Sequence, residues 1–293
     1  MTEPSTTSQV EYAETPDGFR VAYRRVGSGP LLICQPGGPG RASEYLEDLG
    51  GLSSSRTLVL ADTLGTGASD RAGSTPRLGH SRLTYPKLAD DLVTVLTALG
   101  VGEDEPVDLL GHSAGAVVAQ VFAARHAGRL RRLVLVTPMG LLQGTAGADI
   151  ESIRASRSDE PWYPAAAEAA PKLARGGEAA AGLWPLFRPF YYGRWDERTK
   201  AHAAGADTQM DSIAEDAWGG APPDPSVRRA LAGLGVPALV IGGALDGATG
   251  LEPVHAVAAD LPSAHAEVIA GAGHFPWIDE PARFRELVET FLR

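Results

Sequence analysis

Val107-Asp-Leu-Leu-Gly-His-Ser-Ala-Gly-Ala-Val-Val-Ala-Gln120 decides how the rest of the chain is read. An apolar run ends in Gly111-His-Ser-Ala-Gly115 and passes at once into small helix-forming residues, the pattern of a strand, a sharp nucleophile-bearing turn and a helix. Such a turn holds its serine in a strained backbone conformation and has room only for small side chains two residues to either side. Gly111 and Gly115 meet that demand, which makes Ser113 the candidate nucleophile.

Upstream of this stretch, Val10–Thr15 and Arg20–Val26 flank Pro16-Asp-Gly18 and read as an antiparallel hairpin at a sheet edge. Leu31-Leu-Ile-Cys34 reads as a buried strand that feeds Gln35-Pro-Gly-Gly-Pro-Gly40, a loop shaped by Gly and Pro. Thr57–Ala61 is the next buried strand, and Tyr85–Leu99 carries a helical apolar stripe with Asp90 and Asp91 expected on its other side. Downstream, Arg132–Pro138 and Val236–Gly243 read as buried strands. A helix over Glu252–Leu261, a short strand over Ala266–Ala270 and a closing helix with Phe284, Leu287, Val288 and Phe291 inward complete the pattern. Alternating strands and helices imply an α/β fold, a mostly parallel central sheet with right-handed crossovers and helices on both faces.

From about Gly140 to Pro225 the alternation stops, and nine of the chain's aromatic residues fall in this stretch. They predict an inserted helical cap over a pocket, with Trp184, Phe187, Tyr191 and Trp218 as candidate pocket residues. The expected organisation is therefore a core built from residues 1–139 and 226–293 with a cap insertion at 140–225.

With 293 residues, 44% of them hydrophobic, the chain can bury one large core. A formal net charge of −10 without a Lys/Arg cluster argues against a nucleic-acid or anionic-membrane surface and favours a small-molecule or short-peptide substrate. The polar Met1–Ser8 start and the lack of a long uninterrupted apolar run lead us to expect a cytoplasmic protein with no membrane partner. Cys34, the single cysteine, cannot form an intramolecular disulfide and is read as a small buried hydrophobe.

A serine hydroxyl needs a base to take its proton and an acid to orient that base. Asp246, in the loop after the strand ending at Gly243, and His274, in Gly271-Ala-Gly-His-Phe-Pro-Trp277, supply both from the ends of strands, where ligand-facing groups collect in such sheets. His112 is read as a packing residue, and His80, His126, His202, His255 and His265 as solvent-facing; none has metal-ligand spacing, so neither metal nor cofactor is expected. The oxyanion formed by attack of Ser113 requires two donors: the N–H of Ala114, and one from the Gly37-Gly38 backbone, with Gly38 preferred and Gly37 the alternative.

These residues resemble the α/β-hydrolase superfamily, and within it the proline iminopeptidase-like group. Pro36-Gly-Gly-Pro-Gly40 is similar to that group's His-Gly-Gly-Pro-Gly loop, Asp62-Thr-Leu-Gly-Thr-Gly-Ala-Ser69 is similar to its Asp-x-x-Gly-x-Gly-x-Ser turn, and the order Ser, Asp, His is the superfamily's own. The likeness spans most of residues 10–139 and 226–293. It departs at Pro36, at Thr63-Leu64 and in the elbow, where that group has Gly-Gly-Ser-Trp-Gly. The group's grip on a free amine implies cap carboxylates, for which Asp196, Glu197, Glu215 and Asp216 are available. The expected activity is hydrolysis of an ester or amide, a peptide or specialised metabolite included, through an acyl-enzyme. Prolyl aminopeptidase action, non-hydrolytic lyase, cyclase or acyl-transfer chemistry, and a ligand-binding module are the alternatives.

Overall fold

A computed structural model describes residues 9–71, 75, 78–176, 180, 182–219 and 224–293. The Met1–Ser8 tail, and residues 177–179, 181 and 220–223 of the stretch expected to form a cap, lie outside the described residues.

Eight strands form one sheet: β1 (Val10–Glu14), β2 (Arg20–Gly27), β3 (Leu31–Gln35), β4 (Thr57–Ala61), β5 (Val107–His112), β6 (Leu130–Val136), β7 (Ala238–Gly243) and β8 (Ala264–Ile269). Their spatial order is β1-β2-β4-β3-β5-β6-β7-β8. The β1/β2 and β2/β4 pairs are antiparallel and every other pair is parallel, as the alternation of elements requires. The two-residue period of a strand divides the central apolar residues between two cores. Ile33, Val59, Leu109, Leu133, Leu135 and Val240 join one; Leu32, Cys34, Leu58, Leu60, Leu110, Val134, Val136 and Ile241 join the other.

The first core is covered by α1 (Tyr85–Ala98) and α2 (Ala114–Arg125), with α9 (Pro225–Leu231) and α10 (Glu252–Asp260); the second is closed by α11 (Pro276–Asp279) and α12 (Pro281–Phe291). Between β6 and β7 no described residue joins the sheet. That interval holds α3 (Ile150–Ala155), α4 (Tyr163–Arg175), α5 (Trp184–Phe187), α6 (Glu197–Ala204), α7 (Ala206–Gln209) and α8 (Ser212–Gly219) before α9 returns the chain to the core.

Two expectations about polar groups are corrected. Asp91 does not face solvent opposite the apolar stripe: it is buried and ion-paired with Arg82, and burial, opposed by that arginine, lifts its carboxyl to about 6. His202 is also buried rather than solvent-facing. It donates Nε2–H to the Tyr45 carbonyl and accepts the Tyr192 hydroxyl at Nδ1, both at 2.8 Å.

Candidate active site

Ser113 occupies the single residue between β5 and α2, with φ 54° and ψ −121°. The two glycines around it are small because the turn is jammed between its neighbours. A β-carbon on Gly111 would come within 2.7 Å of Ala119 Cβ, and one on Gly115 within 2.3 Å of the Pro36 carbonyl oxygen. The Ser113 N–H donates to the Val136 carbonyl at 2.9 Å, so the turn is anchored to the neighbouring strand. Ala114 opens α2, in the first turn, where a helix offers its own N–H groups no acceptor and carries partial positive charge.

The Pro36–Gly40 loop presses against this turn. A β-carbon on Gly37 would lie 2.9 Å from Ser113 Cβ and 3.2 Å from Ala114 N, so only glycine lets the loop backbone come this close. The two candidate donors in the loop separate here. The Gly37 N–H is already spent, donating to the Tyr45 hydroxyl at 2.7 Å. Gly38, with φ +127°, lines the cavity in front of Ser113. Tyr45 is held in turn by the Asp62 motif: the buried Asp62 carboxylate accepts Ser43 N–H at 2.9 Å, Ser43 O–H at 2.6 Å and Ala68 N–H at 2.9 Å, fixing the single helical turn that carries Tyr45.

Asp246 and His274 meet across the ends of β7 and β8. His274 Nδ1 lies 2.8 Å from Asp246 Oδ2, with both side chains buried. The carboxylate also accepts Thr249 O–H at 2.7 Å, Ala248 N–H at 2.8 Å and Thr249 N–H at 3.1 Å. Burial alone would raise this carboxyl, but the neighbouring imidazole and these donors outweigh it and hold it below its ordinary value. Because Asp246 can only accept, Nδ1 carries the ring proton of neutral His274 and Nε2 is left as acceptor.

His112, expected to pack, does more. Its Nε2–H donates to the His274 carbonyl at 2.9 Å, which leaves Nδ1 to accept the Tyr45 hydroxyl proton at 2.7 Å. Burial, and then the nearness of His274, push its pKa well below the ordinary value, consistent with a neutral ring satisfied on both nitrogens. Thr137 O–H adds a second bond to the same carbonyl at 3.0 Å.

A cavity of about 430 Å³ opens over these groups, with Ser113, Gly38, His112 and His274 on its floor and Trp184, Tyr191, Tyr192, Arg188, Asp207, Met210 and Glu215 from the β6–β7 interval among its walls. Of the four aromatic candidates, Trp184 and Tyr191 reach it. Phe187 instead packs with Ala166 and Phe190 in a small core of its own, and Trp218 is buried in the main core, so these two expectations are corrected. Among the carboxylates considered for an amine, Glu215 alone is on the wall, half-buried, with burial and then Asp216 raising its carboxyl. Asp196 caps α6, Glu197 pairs with Lys200, and Asp216 is exposed. Sequence reading missed Arg41 and Tyr45, both cavity-lining; their positions directly after a glycine-rich loop were the available signal.

The alpha/beta hydrolase family profile matches residues 31–287, from the first central strand into the last helix. The chain belongs to the alpha/beta hydrolase family. An uncharacterized protein of Mycobacterium tuberculosis (strain H37Rv) is 27% identical over 284 residues, covering 95% of this chain and 80% of that one. Among solved structures, an esterase from Rhodococcus sp. ECU1013 superposes with a TM-score of 0.75 at 22% identity, covering 97% of this chain and 98% of that one. A proline iminopeptidase of Mycobacterium smegmatis does so with 0.74 at 21% identity, covering 97% of each chain. At these identities the two structures show a shared fold.

Proposed function

We propose that this alpha/beta hydrolase cleaves an ester or amide through an acyl-enzyme on Ser113, with His274 as base and Asp246 as its orienting acid. The observation that carries this reading is the His274–Asp246 pair at 2.8 Å, buried beside the cavity that Ser113 also lines. In the reaction His274 Nε2 takes the Ser113 proton as Oγ attacks the carbonyl, then returns it to the leaving group; water repeats the cycle on the acyl-enzyme. Ala114 N–H and Gly38 N–H are the proposed oxyanion donors, the Gly37 N–H being occupied by Tyr45. The β6–β7 interval acts as the cap, and its Trp184 and Tyr191 supply apolar surface to the substrate.

A panel of p-nitrophenyl esters and aminoacyl-p-nitroanilides, a prolyl one included, run beside Ser113→Ala tests the proposal. Turnover that disappears in the variant, together with fluorophosphonate labelling of Ser113 in the parent, supports it. Undiminished turnover in the variant removes Ser113 from the mechanism, and product that takes up no oxygen from labelled water replaces hydrolysis with another reaction.

A further inference from the structure

Arg41 follows the Pro36–Gly40 loop and forms part of the cavity wall, yet only 6% of it is exposed. Its Nε and Nη2 both donate to one neutral oxygen, Gln209 Oε1, at 3.0 and 2.9 Å. Among the described residues Nη1 has no hydrogen-bond partner, and no carboxylate comes within 4.0 Å of the guanidinium. The group lies instead against two aromatic rings on one side, 4.3 Å from the Tyr45 centroid and 5.7 Å from that of Phe275. Buried cations are ordinarily matched by an anion, because desolvation disfavours the lone charge. The other cavity arginine shows the usual arrangement: Arg188 is ion-paired with Asp207.

We infer that Arg41 is the binding site for a substrate carboxylate, so that the ester or amide this enzyme cleaves carries an acid group beyond its scissile carbonyl. The inference rests on the hydrolase reading above and narrows its substrate class. A guanidinium accommodates a carboxylate in plane and remains charged even where burial lowers its pKa, as it does here. The remaining charged groups on the wall favour a monoanion over a phosphate dianion. Arg188 is already neutralised by Asp207, and Glu215 lies more than 4.0 Å from Arg41 and would repel additional negative charge. The anchor is also firmly placed: Ala42 N–H donates to the Gln209 carbonyl at 2.9 Å, and Arg41 forms an isolated β-bridge with Met210. Since Arg41 N–H donates to the Gly37 carbonyl at 3.3 Å, the carboxylate site belongs to the same loop as the proposed oxyanion donor Gly38. An acyl chain could therefore be fixed at both ends by one segment.

The experiment compares p-nitrophenyl butyrate with the p-nitrophenyl hemiesters of succinate and glutarate in the parent, Arg41→Lys and Arg41→Met. We expect the ratio of kcat/KM for hemiester over butyrate to fall tenfold or more in Arg41→Met, chiefly through KM, with partial recovery in Arg41→Lys. A ratio unaltered by Arg41→Met overturns the inference and leaves Arg41 as a strut between loop and α7. Because esterase activity could fail for reasons of its own, binding of monomethyl glutarate to folded Ser113→Ala and to the Ser113→Ala/Arg41→Met double variant is measured by calorimetry. Binding weakened tenfold or more by the second substitution supports the carboxylate site irrespective of chemistry, and equal or undetectable binding to both refutes it. Phenyl phosphate in the same titration distinguishes a carboxylate site from a general anion site: binding equal to that of monomethyl glutarate overturns the carboxylate assignment.

Discussion

The Tyr45 hydroxyl donates to His112 Nδ1 at 2.7 Å while accepting the Gly37 N–H at 2.7 Å, so one phenol joins the Pro36–Gly40 loop to the histidine beside Ser113. His112 passes the connection on to the His274 carbonyl at 2.9 Å. Three segments remote in sequence are thereby held in register by side chains that take no part in the proposed bond-making. Tyr45→Phe removes both bonds of the phenol in a buried setting. We expect a loss of about 1–3 kcal/mol in unfolding free energy, and a fall of roughly tenfold in kcat with a smaller effect on KM, since the loop and base lose their mutual alignment. Denaturant unfolding and steady-state kinetics check this; kinetics indistinguishable from the parent would reduce Tyr45 to a packing residue.

Asp246→Asn keeps the shape of the buried side chain but presents an amide that can donate to His274, favouring the wrong tautomer. The expected loss in kcat is about 10⁴-fold, with substrate binding largely kept. A loss under tenfold would show that His274 does not depend on Asp246 for its orientation.

The φ of 54° at Ser113 places a side-chain-bearing residue where glycine is more comfortable. Ser113→Ala retains the strain and Ser113→Gly relieves it. Both should be inactive, with the glycine variant the more stable by about 1 kcal/mol after allowance for its freer unfolded chain. Equal midpoints in urea would mean that the turn stores no strain.

Asp279 is buried, and its Oδ2 accepts the N–H groups of Gly193 and Gly273, each at 2.8 Å. Burial, partly offset by these donors, lifts its carboxyl from 3.8 to about 6. Between those two values the folded protein holds a proton that the unfolded chain has released, so this group's contribution is complete below the lower value and declines as the pH rises to the upper one. Asp279→Asn retains an acceptor and cannot ionise. Its melting temperature should match the parent's near pH 4 and exceed it by about 3 °C or more at pH 7.5, as scanning calorimetry can measure. A difference that does not vary with pH would remove the ionisation from the account.

Trp184 and Trp218 should separate cleanly. Trp184 is 46% exposed at the cavity, so Trp184→Ala is expected to alter KM across an ester panel while changing stability by no more than about 0.5 kcal/mol. Trp218, fully enclosed, should cost about 3–5 kcal/mol on replacement by alanine. Equal stability losses for the two would contradict the contrast in burial.

The strands that carry Ser113 and Asp246 were legible because burial on both faces leaves them rich in apolar residues, broken in β5 by the ion-paired Asp108, and the glycines of the loop and elbow were legible because close backbone approach excludes every other residue. Trp184 and Phe187, three residues apart on α5, could not be told apart by composition. Which of them faces the cavity depends on where Ala166 of α4 and Phe190 happen to lie. His202 and Asp91 were misplaced for the same reason, since polarity announces solvent until a partner is known, and Tyr45, Tyr192 and Arg82 are partners that only folding supplies. Arg41 was missed because its place after the glycine-rich loop marks it as near the site without showing that its charge lacks an anion.

The His274 N–H donates to the Tyr191 carbonyl at 2.7 Å, and Asp279 bridges Gly193 to Gly273, so the side of the cavity nearest the proposed base is stitched to the loop that carries it. Variation in Tyr191–Gly193 would disturb reactivity itself, whereas Trp184, Pro185 and Ala206 border the same space without such ties to that loop. The molecule is thus split into a half that must stay constant and a half free to diverge, and an engineer seeking new selectivity should randomise the second.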